Sequence, residues 1–186
     1  MRGDLKDAAG YINFVIADDE VAKKYYLGMN VLNYKQYDDG NINPEYKYYL
    51  QDKKKSFGVP DWVNFVDDNQ QMYYDFSADL AASYKRQLER ILARGIRTLI
   101  YNGQNDMIVN TPGVLAYLNS LDWQYLQDWK AKPKTMWNEF GSQNFGWYKV
   151  HRNLAFVQIR NAGHLVPSDQ PRSAWSMLNK YFLNDW

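Results

Sequence analysis

Apolar side chains recur every three or four positions in three stretches of the second half of the chain. In residues 77–95 this spacing predicts a helix that ends at Gly95, because glycine often stands just past a helix end. Residues 111–121 and 171–183 show the same spacing, and each has a proline near its start. The pattern therefore predicts three helices.

Two short apolar runs lie between these helices. The runs Ile-Arg-Thr-Leu-Ile-Tyr (96–101) and Leu-Ala-Phe-Val-Gln-Ile (154–159) have the length of strands and are predicted to be buried strands. The aromatic-rich residues 123–146 are predicted to form a long connection. The resulting order of helix, strand, helix, connection, strand and helix is typical of an α/β fold, with a mainly parallel sheet and flanking helices.

The first part of the chain has a less regular pattern. Residues 19–32 and 44–58 show weak helical periodicity, and residues 38–46 have the composition of a turn. We therefore expect two regions, a partial cap and linker segment over 1–75 and the C-terminal part of an α/β core over 76–186.

Composition and charge exclude several classes of protein. The chain has 186 residues, of which 46% are hydrophobic and 23% charged, as in a folded domain. Its net charge of +1 gives no field that favours nucleic acid or an anionic membrane, and no apolar run reaches the ~18 residues of a membrane span. The absence of cysteine excludes disulfides and cysteine metal sites. The sequence contains no metal-binding cluster, phosphate loop or dinucleotide motif, so we expect neither a metal nor a cofactor.

An aspartate and a histidine lie just past the two predicted strands. Asp106 follows the first strand, and His164 follows the second. Neighbouring parallel strands would bring both residues to the same edge of the sheet, where a carboxylate can orient an imidazole for proton transfer. The alternative is that Asp106 is only a turn residue and His164 is structural. The other histidine, His151, has no such context, and we expect it at the surface before the second strand.

The sequences around these two residues resemble the serine carboxypeptidases of the α/β-hydrolase fold. Residues 99–110 contain Tyr-Asn-Gly-Gln-Asn-Asp, and residues 153–171 contain Gly-His-Leu-Val-Pro-Ser-Asp-Gln-Pro, which match the family's aspartate and histidine motifs. The first motif is most similar to the vitellogenic-like and retinoid-inducible branch. The resemblance covers roughly residues 44–183, whereas residues 1–43 do not align. It implies the C-terminal portion of an α/β-hydrolase sheet with part of a helical cap.

The resemblance also implies roles for individual residues. Asp106 matches the family's triad aspartate, and His164 matches its triad histidine, the general base and acid. Leu165 replaces the methionine that follows the family's histidine, at a position that lines the pocket for the substrate's C-terminal residue. Six further residues match the turns that carry these groups and are expected to be turn formers: Asn102, Gly103, Gln104, Pro167, Asp169 and Pro171.

The nucleophilic serine of such a triad is missing from this sequence. It would lie on a strand-to-helix elbow of the type Gly-x-Ser-x-Gly, or the family's Gly-Glu-Ser-Tyr, and the family's oxyanion glycines are also absent. None of the eight serines has a glycine two positions before it: Ser56, Ser77, Ser83, Ser120, Ser142, Ser168, Ser173 and Ser176. We therefore expect the chain alone to be inactive as a peptidase, and to fold poorly without an N-terminal half.

Three explanations of the missing serine stay open: the C-terminal part of a truncated gene model, one chain of a two-chain enzyme, or a non-catalytic descendant. The leading interpretation is a C-terminal fragment of a serine-type carboxypeptidase. Such an enzyme would release residues from the C-termini of peptides or proteins by acyl-enzyme chemistry, and the N-terminal half would be its necessary partner. The alternative is a non-catalytic α/β-hydrolase-like interaction or structural subunit. An esterase or acyltransferase would share the same fold.

The resemblance implies a lysosomal, vacuolar or secreted protein. The residues after Met1 contain no apolar core of a signal peptide, and the lack of cysteine departs from family members that have cap disulfides. The compartment is therefore an expectation from the family alone.

Overall fold

The computed structural model describes most of the chain after residue 48. The described residues are Tyr49, 51–64, 69–80, 82–139, Gly141 and 143–186. They divide into two compact units, one that ends at Ala82 and one that covers the described part of 83–186. The weak helical periodicity over 19–32 and the turn predicted over 38–46 lie outside the described residues.

The described part of the first unit includes the short helices α1 (Gln70–Asp75) and α2 (Ser77–Leu80). Asn69 caps α1, because its side-chain oxygen accepts a hydrogen bond from the amide of Met72 at 3.0 Å. In residues 44–58, where the sequence shows weak helical periodicity, the described part is helical only up to residue 53, and turns follow it.

The single helix predicted over 77–95 is wrong, because α2 is followed by a separate helix, α3 (Lys85–Ala93). Between them the side-chain oxygen of Ser83 accepts a hydrogen bond from the amide of Lys85 at 3.4 Å. A serine that binds a nearby backbone amide in this way competes with continuous helical bonding. The predicted end at Gly95 is present, and this glycine has the left-handed φ of 71° that favours it there.

The second unit is built on a four-stranded sheet. Its strands lie in the order β1-β4-β3-β2 and comprise β1 (Thr98–Gly103), β2 (Thr135–Glu139), β3 (Gln143–His151) and β4 (Leu154–Ile159). β1 and β4 run parallel, with Thr98 opposite Leu154 and Gly103 opposite Ile159. β3 is antiparallel to both β4 and β2. The parallel pair therefore has its two carboxyl ends side by side.

Helices accompany the strands along the chain. After α3 they are α4 (Thr111–Asn119), α5 (Leu126–Ala131), α6 (Val166–Asp169) and α7 (Pro171–Leu183). The range of α7 is the predicted one, while α4 ends slightly earlier than predicted. None of the helices in the described part of the chain combines the length and apolar character that a membrane crossing requires.

β4 is the central strand of the core. Its side chains alternate between two buried clusters, with Leu154 and Phe156 in one and Val157 and Ile159 in the other. The first cluster also draws residues from α3, α4 and α5, and the second from β2, β3, α6 and α7. Each fully buried large apolar side chain contributes about 1.5–3 kcal/mol. Helices therefore cover both faces of this strand.

The α/β class with flanking helices is confirmed, but the described sheet is mixed rather than mainly parallel. The predicted strand over 154–159 has the observed bounds, and the one predicted over 96–101 begins at Thr98. The connection predicted over 123–146 is wrong, because it contains α5, β2 and the start of β3. The strand period is hidden there because most positions of β3 are half-buried rather than alternately buried and exposed.

Candidate active site

Two loops meet where the parallel strands end. We call residues 104–110 the β1 loop and residues 160–165 the β4 loop, after the strands that they follow. The loops begin side by side because the last residues of the two parallel strands lie opposite each other. The amide of Asn105 donates to the carbonyl of Ala162 at 2.8 Å, which joins the loops directly.

The close approach of these loops depends on Gly103. A Cβ atom at this position would lie 2.1 Å from the carbonyl oxygen of Gly163 and 2.5 Å from that of Ala162. Both neighbours are backbone atoms that no rotamer change can move aside. The missing side chain is therefore what allows the β4 loop to lie against the end of β1.

Asp106 and His164 face each other across this contact. Nδ1 of His164 lies 2.9 Å from Oδ2 of Asp106. The aspartate side chain is 2% exposed, whereas the histidine side chain is 40% exposed. Since a carboxylate only accepts hydrogen bonds, Nδ1 carries the proton, and Nε2 of a neutral ring is left as an acceptor. The pair can therefore take up a proton at Nε2.

The buried carboxylate of Asp106 has partners on both oxygens. Its Oδ1 accepts a hydrogen bond from the amide of Val109 at 2.9 Å. The side-chain amide of Asn102 lies 3.4 Å from Oδ2 and donates to the carbonyl of Val109 at 2.7 Å. A buried charge is tolerated when hydrogen bonds replace its lost hydration. These bonds also fix the plane of the carboxylate.

A second set of hydrogen bonds holds the backbone on either side of His164. Oδ2 of Asp169 accepts a hydrogen bond from the amide of Gly163 at 2.6 Å. The carbonyl of Leu165 accepts from the amide of Asp169 at 3.0 Å. The side chain of Leu165 itself is 58% exposed and follows His164 directly. The geometry leaves this leucine open on the surface beside the imidazole.

The structure brings no described serine to the imidazole. Among the residues that the structure describes, no serine hydroxyl forms a hydrogen bond with His164. Ser142 lies outside the described residues. Over the same described ranges, no group of three or more His, Asp or Glu side chains is arranged to hold a metal ion.

His151 does not lie where the sequence suggested. It is the last residue of β3, and its side chain is only 20% exposed. Its ring packs edge to face against Trp123 and Tyr125, with centroid distances of 6.2 and 6.1 Å. Its Nε2 is 3.8 Å from a carboxylate oxygen of Asp128. The prediction that His151 lies at the surface is therefore wrong, because its ring packs among aromatic side chains.

Sequence reasoning missed part of the surroundings of Asp106. It matched Asn102 only to a turn, and it passed over Thr111 and Gln158, which are connected to Asn102 by hydrogen bonds. One signal was present, since Gln158 is the polar residue of an otherwise apolar buried strand. The partners that satisfy such a residue become visible only in three dimensions.

A separate charged cluster joins β2 to α7 away from these loops. Nζ of Lys180 lies 3.2 Å from Oε1 of Glu139, which also accepts a hydrogen bond from the indole of Trp137 at 2.8 Å. The indole, and then the lysine, hold the pKa of Glu139 below its ordinary value. Burial lowers the pKa of Lys180. Its bonds to Asp185 and Glu139 raise that pKa by more than burial lowers it, so the pKa of Lys180 lies above its ordinary value.

Comparison with a family model supports a relationship that covers nearly the whole chain. The model described as serine carboxypeptidase matches residues 11–184. The match begins before residue 44, where the resemblance read from the sequence was expected to start.

Individual relatives carry the same name. Serine carboxypeptidase-like 49 of Arabidopsis thaliana is 31% identical over 135 residues, which cover 73% of this chain and 26% of the relative. The retinoid-inducible serine carboxypeptidase of Mus musculus is 31% identical over 134 residues, which cover 68% and 28%. The chain thus spans about a quarter of the length of these curated relatives.

A solved structure shares the fold. It is a prohormone-processing carboxypeptidase from Saccharomyces cerevisiae, with a TM-score of 0.65 and 18% sequence identity. The similarity covers 98% of this chain and 47% of that one. At this identity the likeness concerns the α/β-hydrolase fold.

Proposed function

Because this chain belongs to the serine carboxypeptidase family, we propose that it supplies the histidine and the aspartate of a serine-type carboxypeptidase. The substrates are peptides or proteins, from whose C-termini the enzyme releases residues. The observation that carries this proposal is the 2.9 Å contact between Nδ1 of the exposed His164 and the buried carboxylate of Asp106.

The proposed mechanism uses the free ring nitrogen of His164. Nε2 takes the proton of a serine hydroxyl as that oxygen attacks the carbonyl of the last peptide bond. The imidazolium, stabilised by Asp106, then gives the proton to the departing amine and leaves an acyl-enzyme. Water attacks the acyl group in the same way, with His164 again taking and returning one proton. The serine and the shortened peptide are thereby released.

We place Leu165 at the pocket for the C-terminal residue of the substrate. It is adjacent to His164 in sequence, and its side chain is 58% exposed. An exposed apolar side chain beside the reacting atoms supplies contact area for an apolar substrate group. Substitution of Leu165 should therefore change KM and residue preference more than it changes kcat.

The nucleophile and the oxyanion donors belong, in this proposal, to an N-terminal half of the same enzyme. None of the serines in the sequence has the elbow pattern, and within the described residues β1 pairs with β4 on one side only. An edge strand with a free side can take a further strand. Large apolar side chains are also exposed on α7, with Trp175 at 69% and Phe182 at 73%. Such surfaces are typical of an interface.

The second candidate function is that of a non-catalytic subunit which keeps the hydrolase architecture for binding. The observation in its favour is the lack of an elbow serine in the chain. The discriminating feature lies upstream of Met1, because a Gly-Glu-Ser-Tyr motif encoded there would exclude this candidate.

We also propose, from the family alone, that the protein acts in a lysosome or vacuole or after secretion. Fractionation of the native source, with the chain detected by antibody, tests this proposal. Recovery of the chain only from the cytosolic fraction would contradict it.

The experiment that tests the enzymatic proposal is co-expression of this chain with the segment encoded upstream. The complex should release C-terminal residues from peptides and react with an active-site phosphonate. His164→Ala should lower turnover by at least about 10⁴-fold, because it removes the general base through which Asp106 acts. The matched control is His151→Ala, which should leave turnover unchanged because that ring lies among aromatic side chains. Full turnover in the His164 variant would end the proposal.

A further inference from the structure

We propose that Asn102, Thr111 and Gln158 are positioning residues for the Asp106 carboxylate, and that the indole of Trp147 sets the direction of their hydrogen bonds. The inference rests on the proposed catalytic use of that carboxylate. It concerns residues that the sequence motifs do not contain, apart from Asn102, which they mark only as part of a turn.

An unbroken series of side-chain hydrogen bonds connects Trp147 with Asp106. Nε1 of Trp147 lies 2.6 Å from Oε1 of Gln158. Nε2 of Gln158 lies 2.9 Å from the hydroxyl of Thr111, which lies 2.6 Å from Oδ1 of Asn102. Nδ2 of Asn102 then reaches Oδ2 of Asp106 at 3.4 Å. The series thus runs from β3 through β4 and the start of α4 to the end of β1.

The chemistry of the groups fixes which one donates and which one accepts in each of these hydrogen bonds. An indole nitrogen can only donate, so Gln158 must turn its oxygen toward Trp147 and its NH₂ group toward Thr111. The hydroxyl of Thr111 accepts that bond, and its own proton is then available for the oxygen of Asn102. Asn102 is therefore left with its NH₂ group facing Asp106. The donor-only indole at the start of the series therefore imposes on Asn102 the same orientation that the acceptor-only carbonyl of Val109 favours.

The orientation of the Asn102 amide affects the carboxylate of Asp106. If the amide of Asn102 were reversed, its oxygen would face the carboxylate of Asp106 and the carbonyl of Val109, which are both acceptors. Asn102, Asp106 and Thr111 are all buried, so bulk water has little access to correct such an arrangement. The observed direction avoids this repulsion. It keeps Oδ2 aimed at His164 while the amide of Val109 holds Oδ1.

A purely structural network would change stability without changing the imidazole, so the test measures the ring of His164. The chain has only two histidines, and His151→Gln assigns their NMR signals. With the upstream segment bound and only this chain labelled with ¹⁵N-histidine, we expect Nδ1 of His164 to carry a proton that exchanges slowly with solvent. Absence of this signature from the wild-type chain overturns the proposal.

The matched pair of variants is Thr111→Val, which keeps the shape but removes the hydroxyl, and Thr111→Ser, which keeps the hydroxyl. Loss of one buried hydrogen bond should speed exchange of the Nδ1 proton of His164 by about three- to tenfold in the valine variant. The serine variant should exchange like the wild type. Equal exchange rates in the valine variant and the wild type overturn the proposal.

A further variant tests direction and does not depend on the folding of the valine variant. In Gln158→Glu, the carboxylate still accepts from Trp147 but cannot donate to Thr111. The hydroxyl of Thr111 then turns to this charged acceptor and away from Asn102. The Nδ1 proton of His164 should exchange faster with solvent, although the substituted side chain keeps nearly the same size. Unchanged exchange in this variant overturns the assigned direction.

Failure of this inference and failure of the proposed function give different results. If the His164 proton responds to Thr111→Val but the co-expressed complex has no turnover, the proposed function fails and the positioning role stands. If the complex is active and Thr111→Val and Thr111→Ser have the same kcat, the positioning role fails and the function stands. If both hold, the valine variant loses kcat at nearly constant KM.

Discussion

His164 and His151 lie in opposite kinds of surroundings. At the end of β4, the imidazole of His164 is 40% exposed and its carboxylate partner, Asp106, is 2% exposed. At the end of β3, the imidazole of His151 is 20% exposed, and the carboxylate of Asp128 beside it is 69% exposed. In one region the acid is buried and the ring is open, and in the other region the arrangement is reversed.

The contrast separates a geometry for proton transfer from a geometry for packing. A buried carboxylate interacts strongly with the imidazole, because little water screens it, and an open ring can reach a substrate. An exposed carboxylate at 3.8 Å is screened and interacts weakly. Burial of the acid together with exposure of the base is therefore more informative than their proximity alone.

The largest expected effect comes from removing the charge of the buried acid, Asp106. In the co-expressed complex, Asp106→Asn should lower kcat by about 10⁴-fold, because an amide favours the wrong tautomer of the imidazole. Asp128→Asn is the matched control and should leave kcat unchanged, since that carboxylate is largely exposed. Peptide hydrolysis rates at saturating substrate measure both. Similar losses in the two variants would contradict the contrast.

The next effect concerns the glycine that lets the β4 loop reach Asp106. Gly103→Ala should lower the free energy of unfolding by about 1–3 kcal/mol, because the new methyl group overlaps backbone carbonyls. The control is Gly113→Ala in α4, where the nearest atom to a new Cβ is a side-chain oxygen at 3.2 Å. Alanine suits a helix better than glycine, but this oxygen caps α4 through the amide of Gly113, so we expect a smaller loss there. Urea unfolding compares the two, and equal stabilities would refute the steric argument.

A smaller effect is expected at the second histidine. His151→Phe keeps an aromatic ring against Trp123 and Tyr125 and removes Nε2, which is buried and forms no hydrogen bond within the described residues. Removal of an unsatisfied polar atom should raise the free energy of unfolding by up to about 1 kcal/mol. Urea unfolding provides the measurement. A clear loss of stability would show that the ring is held by more than packing.

The smallest effect is a pH dependence from Glu139. Because its folded-state pKa lies below its ordinary value, its carboxylate stabilises the fold above that ordinary value, and the contribution is lost as pH falls through the folded-state pKa. Glu139→Gln should therefore be less stable than the wild type near neutral pH by about 0.5–1 kcal/mol, with the difference vanishing in acid. Urea midpoints over a pH series measure it. A difference independent of pH would contradict the sign.

The sequence predicted the elements that carry the site better than the rest of the sheet. A continuous apolar run identified β4, and helical spacing after a proline identified α7. β2 and β3 were missed because their exposed, half-buried and buried positions do not alternate with a period of two. The helix over 77–95 was predicted as continuous because apolar spacing says nothing about where a serine side chain competes for a backbone amide.

The candidate site was predictable only in part for a related reason. The positions of Asp106 and His164 after two strands required only the general rule for parallel sheets and the family motifs. Thr111 and Gln158 are distant in sequence and meet only because β1 and β4 are neighbours. Hydrogen-bond partners of this kind depend on register and on side-chain direction, which a single sequence does not specify.

The alternation of β4 side chains between the two buried clusters has a consequence for how the second unit unfolds. Strand β4 supplies Leu154 and Phe156 to one buried cluster and Val157 and Ile159 to the other. Neither cluster can therefore unfold while the other stays ordered. Heat or denaturant should unfold both buried clusters in one cooperative transition. The hydrogen bond between Asp106 and His164 should be lost at the same midpoint.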